Sequence, residues 1–279
     1  MIIVSGSKRS GTSLWMQALR AGGFDVLGDP FPANWRDTIE AANPHGFFES
    51  KLTAGVYFRT NPSPVTGQYL SPEASQALAV KVFAPGLVRT DIAFLDRVVV
   101  TCRPWQEYTA SIAKMRAMSA GADELDIARR GPDPLHPALE WWIDQFLWIR
   151  DAAARRYPVN ATSYAALLAD PEGTFARVFA WIGHGDPVAA AAVVDHGLYR
   201  NRRREVAIEP PDVPDGVLDT FDELYAHLHA GTTLSEAFVR RLNETHDRLA
   251  PSFARHRAEF RRSAAANILA GPPTTGAAP

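Results

Sequence analysis

The sequence predicts an α/β protein, a doubly wound parallel sheet flanked by helices, in one domain over residues 1–268. Three observations carry this. Short apolar, β-branched runs stand at residues 2–4 and 98–101. Segments with helical apolar spacing alternate with them, the pattern of a parallel sheet crossed over by helices. A Gly/Ser-rich loop joins the first strand directly to the first helix. With 279 residues, 46% of them hydrophobic, the chain can bury one large core.

The elements follow in order. Residues 2–4 (Ile-Ile-Val) form a strand that breaks at once into Ser5-Gly6-Ser7-Lys8-Arg9-Ser10-Gly11-Thr12-Ser13. Leu14, Ala18 and Ala21 then fall at helical spacing, and Gly22-Gly23 closes that helix. Residues 28–69 are rich in Pro, Asn and Gly and carry Trp35, Phe47, Phe48, Tyr57 and Phe58. A long, aromatic, turn-rich insert of this kind points to a binding region rather than a connector. Residues 77–83 read as a second strand and 98–101 as a third, whose unbroken apolar character suits burial on both faces. Pro104 opens a helix, where its missing amide hydrogen costs little. Residues 137–154 form a long helix, 159–162 a fourth strand followed by Tyr164, and Asp170-Pro171-Glu172 starts a helix ended by Gly183. A basic cluster occupies residues 200–204. Amphipathic helices are expected over 217–228 and 234–260, and the Ala/Gly/Pro/Thr tail at 269–279 is expected to be disordered.

Composition narrows the function classes. The net charge is −2 and the basic residues are spread along the chain, so no nucleic-acid partner is expected. Cys102 is the sole cysteine, which leaves no intramolecular disulfide and no Cys-based zinc site. No signal-like segment and no run of eighteen apolar residues stands in the chain, so the expectation is a cytoplasmic protein with no membrane partner. The sequence carries no mark of an oligomeric state.

Gly6 and Gly11, four residues apart between a strand and a helix, form a loop suited to cradling an anion. Its amide hydrogens point inward and the helix N-terminus adds partial positive charge. Nucleoside triphosphatases place Lys and then Ser or Thr straight after the second glycine. Here Thr12-Ser13 stands there, and the cations Lys8 and Arg9 have moved inside the loop. The third strand ends in Thr101-Cys102-Arg103, so a cation occupies the place of a magnesium-holding acid. The pattern favours an anionic ligand neutralised by protein cations, and no metal is expected. Arg103 sits at the C-terminal strand edge where open α/β sheets bind ligands. Ser111 follows about two helical turns later, so one strand–helix unit can grip a phosphate.

These residues resemble the sulfotransferases that use 3′-phosphoadenylyl sulfate (PAPS). SGSKRSGTSL at residues 5–14 resembles their 5′-phosphosulfate loop, and VVVTCRPWQEYTAS at 98–111 resembles their 3′-phosphate segment. Ser163-Tyr164 with the following Leu167-Leu168 and Asp170-Pro171 resembles their tyrosine segment near the adenosine. Asn43-Pro44-His45-Gly46-Phe47-Phe48-Glu49 resembles an element of bacterial members. The resemblance covers about residues 1–205 and implies a P-loop sulfotransferase architecture, PAPS as donor co-substrate and PAP as its spent form. It implies that Ser7, Lys8, Arg9, Ser10, Gly11, Thr12 and Ser13 cradle the phosphosulfate. Arg103 and Ser111 would hold the 3′-phosphate, Tyr164 would lie near the adenosine, and Arg200 and Arg202 would cap the phosphate, although the family's Arg-Lys-Gly motif has no clear copy here.

In cytosolic relatives the base is a His two residues after a strand-end Lys. Lys81 matches that Lys, but Phe83 stands in the place of the His. By analogy with members that use a carboxylate, Glu49 is the candidate general base. Arg9, with Lys8 as the alternative, is the candidate cation on the departing oxygen. Lys81 itself either faces the donor or snorkels at the surface. His45 and His136 flank prolines and read as structural. The acceptor is expected to be a partly apolar small molecule with a hydroxyl or amine. Trp35, Phe47, Phe48, Tyr57, Phe58, Trp141 and Trp142 either line its pocket or belong to the core. Two rival readings share the loop and sheet: a non-catalytic nucleotide-binding member, and a metal-dependent nucleotide kinase or triphosphatase.

Overall fold

Every residue of the first strand, β1 (Ile2–Gly6), is buried, as a strand covered on both faces requires. A computed structural model of the chain describes residues 1–31, 43–120, 135–198 and 209–270. In it β1 is the middle of a five-stranded sheet with β2 (Asp25–Leu27), β3 (Leu78–Lys81), β4 (Arg97–Cys102) and β5 (Val159–Ser163). The order is β2-β3-β1-β4-β5 and every pairing is parallel. The four strands expected from the sequence are present with ends shifted by at most two residues. The fifth, β2, was not legible: it is three residues long, lies on the sheet edge and starts with a charged Asp25.

The alternating side chains of the central strands feed two cores. Ile2, Val4, Ala79 and Val99 face α1 (Thr12–Ala21) and α6 (Pro171–Ile182), where Trp15, Met16, Phe175 and Phe179 pack. Ile3, Val80, Val98 and Val100 face the opposite way, against α3 (Trp105–Ala120), α4 (Pro137–Arg155) and α8 (Val217–Ala230). Helices therefore cover both faces of the sheet. Trp141 and Trp142 are buried in the second core, Trp142 stacked on Phe221 at 4.7 Å, so the aromatic stripe of α4 is core.

Helix ends follow local chemistry. Pro137 and Pro171 stand in the first turns of α4 and α6, and Asp170 accepts the Gly173 amide at 3.0 Å. His136 has the structural role expected of it: its ring nitrogen accepts the Ala138 amide and caps α4. Short helices α2 (Ala84–Leu87), α5 (Tyr164–Ala169) and α7 (Pro187–Ala191) complete the connections. The last helix, α9 (Glu236–Ala270), continues through Pro251 and outruns the expected 234–260. Residues 269 and 270 thus belong to a helix rather than to a tail, and 271–279 lie outside the described residues. No described helix is long and apolar enough to cross a membrane.

Candidate functional site

β1 and β4 run side by side, and the segments leaving their C-terminal ends meet. Gly6 has φ of 139°, and a Cβ there would stand 2.3 Å from the Thr101 carbonyl oxygen of β4. Only glycine lets the loop leave the strand so close to its neighbour. Arg9 takes φ of 63° and Gly11 106°, so the chain turns back before α1. The Ser10 hydroxyl donates to the Ser7 carbonyl at 2.6 Å, and Thr101 donates its hydroxyl to the Ser10 carbonyl at 3.0 Å. The Ser10 amide turns to the Ser7 carbonyl and so serves the loop's own turn. The first amides of α1 have no intrahelical acceptor by helix geometry, and the end of the helix carries partial positive charge.

The two segments singled out in the sequence come together here. Arg9 Nε donates to Ser111 Oγ at 3.2 Å across 102 residues of chain. The Arg103 guanidinium lies 3.7 Å from the centroid of the Tyr164 ring, a cation–π stack. That ring also lies against the loop, since a Cβ on Gly11 would reach within 2.5 Å of it. Trp141 fixes the Arg103 backbone by donating to its carbonyl at 2.9 Å. Tyr164 is buried, Arg103 and Arg9 are partly buried, and Lys8 is exposed. Ser7, Ser10 and Thr12 are buried, and Ser13 donates its hydroxyl to the Phe47 carbonyl at 3.3 Å.

The Asn-Pro-His-Gly-Phe-Phe-Glu segment packs beside the start of α1. Backbone bonds pair Glu49 with Asp29 at 2.9 and 3.0 Å, and Gln17 and Asn43 both donate to the Gly46 carbonyl. This delivers the Glu49 carboxylate to Lys81 Nζ at 2.5 Å. Lys81 also donates to the Phe47 carbonyl and lies 3.5 Å from Ser13 Oγ. Its side chain is only 1% exposed, which removes the surface alternative for Lys81: the Glu49 carboxylate and the Phe47 carbonyl replace the water it gives up. Burial pulls its ammonium pKa below the ordinary lysine range, with Glu49 opposing and nearby Arg9 assisting. Phe47 and Phe48 are buried beneath this segment, whereas Phe58 is 78% exposed and cannot line an enclosed pocket. His45 lies 3.9 Å from Asp195 at the surface, away from Lys81 and Glu49. Trp35, Arg200 and Arg202 lie outside the described residues.

Three site residues were missed in the sequence. Gln145 of α4 is fully buried and donates to Ser7 Oγ at 3.1 Å, while accepting the Trp148 indole N–H at 2.9 Å. Burial pushes the carboxyl of its neighbour Asp144 up to about 7, with the nearby Ser7 hydroxyl opposing. Thr101, deep in β4, supports the loop backbone. A signal was available for the first two: Asp-Gln interrupts the run Trp-Trp-Ile-x-x-Phe-Leu-Trp, and a polar pair inside an apolar helix needs partners.

The assembled site has the N-terminus of α1, two partly buried arginines, a buried Lys–Glu pair and a stacked tyrosine. A scan against protein-family profiles finds no match, and a search of curated proteins finds no significant relative.

Proposed function

We propose that the chain binds PAPS across the β1 and β4 edges and transfers its sulfonate to a hydroxyl or amine of a partly apolar small molecule. One observation carries this reading: the loop and the Arg103–Ser111 segment, separate in sequence, are joined by the Arg9–Ser111 bond and by the Tyr164 ring between Arg103 and Gly11. A donor with phosphates at both ends of its ribose needs two anion sites at such a spacing, and a triphosphate needs one with its metal.

In this reading the first amides of α1, with Lys8 and Arg9, hold the phosphosulfate, and Arg103 with Ser111 holds the 3′-phosphate. The donor supplies an activated sulfonate. The acceptor oxygen or nitrogen forms a bond to sulfur while the sulfur–oxygen bond to the nucleotide breaks. The acceptor's proton passes to the Glu49 carboxylate, and the electron pair leaves on the nucleotide oxygen, where Arg9 or Lys8 offsets the growing charge. Lys81 positions Glu49 through their ion pair.

The test is thermal unfolding with 3′,5′-ADP (PAP), compared with ATP plus magnesium, in the parent and in Arg103→Ala. At ~100 times its Kd a ligand stabilises by about 2.7 kcal/mol, which for this size is roughly 5 °C or more. The expected result is a shift with 3′,5′-ADP that needs no metal and is lost in Arg103→Ala. A shift with ATP and magnesium alone would replace this reading by a kinase or triphosphatase. The tight Glu49–Lys81 pair favours a second reading, in which nucleotide binds without turnover. Donor binding with no sulfonate transfer to a panel of phenols, alcohols and amines would select it.

A further inference from the structure

The turn that carries Lys8 and Arg9 is held from outside at both ends. The Ser7 carbonyl accepts the Ser10 amide at 3.3 Å and the Ser10 hydroxyl at 2.6 Å, so Lys8 and Arg9 are its two central residues. At the Ser10 end, Thr101 of β4 donates to the Ser10 carbonyl at 3.0 Å. At the Ser7 end, Gln145 Nε2 donates to Ser7 Oγ at 3.1 Å across 138 residues of chain. Gln145 and Ser7 are both fully buried, so neither can exchange this bond for one to water.

Trp148 decides which way the Gln145 amide points. An indole N–H can only donate, and this one donates to Gln145 Oε1 at 2.9 Å, which leaves the amide NH2 for Ser7. The relay from Trp148 through Gln145 therefore has one polarity, with Ser7 Oγ as its acceptor. Arg9 supplies the reason that the turn needs support. Its φ of 63° puts a non-glycine residue in the left-handed region, a conformation that persists only where the surroundings fix it.

We propose that Gln145, oriented by Trp148, is a positioning residue for the loop between β1 and α1: through Ser7 it holds the turn that presents Lys8 and Arg9 to an anion. Having no exposed surface, Gln145 acts through Ser7 and not on the ligand itself. The identity of the anion rests on the nucleotide reading above.

The experiment compares the full-length parent with Gln145→Met, Trp148→Phe, Ser7→Ala and the Ser7→Ala/Gln145→Met pair. 3′,5′-ADP is titrated calorimetrically at a temperature where circular dichroism shows every variant folded. Gln145→Met, which keeps the length and loses both bonds, should raise Kd about three- to tenfold, the worth of one supporting hydrogen bond. Ser7→Ala should raise it by a similar factor, and the pair by no more than either alone, because both remove the same bond. Trp148→Phe keeps Gln145 but frees its amide to turn, and should raise Kd by a smaller factor. If Gln145→Met does not fold, the pair Ser7→Ala/Trp148→Phe replaces it in the same comparison. A Gln145 that served stability alone would lower the melting temperature and leave the Kd of the folded protein unchanged.

Hydrogen exchange reads the anchor without a ligand. In Gln145→Met, or in Trp148→Phe, the Ser10 amide should exchange faster relative to the amides of β4, which report global opening. Unchanged Kd, or effects of Ser7→Ala and Gln145→Met that simply multiply, overturns the proposal and leaves the nucleotide site standing. If the parent itself does not bind 3′,5′-ADP, the nucleotide reading falls and exchange decides. A Ser10 amide that keeps its parent rate relative to β4 then overturns the anchor, and a faster one sustains it.

Discussion

Glu49 and Lys81 show how much one pair of side chains decides. The ammonium is almost fully buried and the carboxylate 16% exposed, so each replaces much of the other's lost hydration. Glu49→Gln should therefore have two effects of different origin. Stability should drop by about 3 kcal/mol, because a buried ammonium loses its counter-charge. Turnover with PAPS should fall at least ~100-fold, the lower end for removal of a general base. Adding Lys81→Met separates the two: urea unfolding should recover in the double variant, while turnover stays low. Full turnover in Glu49→Gln would leave Glu49 as a structural anchor only. A second residue, Gln145, shows why the site was incompletely legible. It bonds Ser7, 138 positions earlier, and no local pattern links them. What the sequence did show was the anomaly of Asp144-Gln145 within an apolar helix.

At the scale of elements, the loop and α1 work through backbone shape. Gly11 combines φ of 106° with a close approach to the Tyr164 ring, so Gly11→Ala meets both a left-handed backbone penalty and a clash. We expect a loss of about 1–3 kcal/mol in denaturant unfolding, and loss of the thermal shift given by 3′,5′-ADP. Gly23 is the control: its φ is 92°, but a Cβ there meets nothing within 4 Å. Gly23→Ala should cost stability alone and leave the nucleotide response intact. Equal loss of binding in both would mean that general destabilisation, not loop geometry, is being read. The loop was legible because Gly-x4-Gly between a strand and a helix is a local signal. The strand β2 was not, because three residues beginning with Asp carry no periodicity until β3 supplies the hydrogen bonds.

At the scale of the whole molecule, α8 ties the second core to the sheet edge. Phe221 is fully buried and lies between Trp141 and Trp142 at 5.5 and 4.7 Å. Asp222 beside it accepts from both Trp105 and Gln106 in the first turn of α3, and His229 meets Ser163 Oγ at 2.7 Å at the end of β5. Phe221→Ala should lower unfolding free energy by about 3–5 kcal/mol, the usual cost of an aromatic removed from a packed core. The denaturant slope should stay unchanged, since the same surface is exposed on unfolding. A cost below about 1 kcal/mol would mean that α8 is a loosely docked appendage.

The sequence by itself determined the α/β class, four of the five strands, the long helices and their caps, and the glycine loop between β1 and α1. Each of these is a local pattern: alternation, helical spacing, a proline at a first turn, glycines at a fixed interval. It also placed Arg103 at a strand end and Ser111 two turns into the next helix. Only the tertiary structure decided that Arg9 reaches Ser111, that Tyr164 fills the space between Arg103 and Gly11, and that Lys81 is buried against Glu49. It alone put Gln145 beneath Ser7. The physical reason is range. Hydrogen bonding and steric preference act between neighbours and are written in short segments. Burial, which shifts the proton affinities of Lys81 and Asp144, is a property of the packed whole.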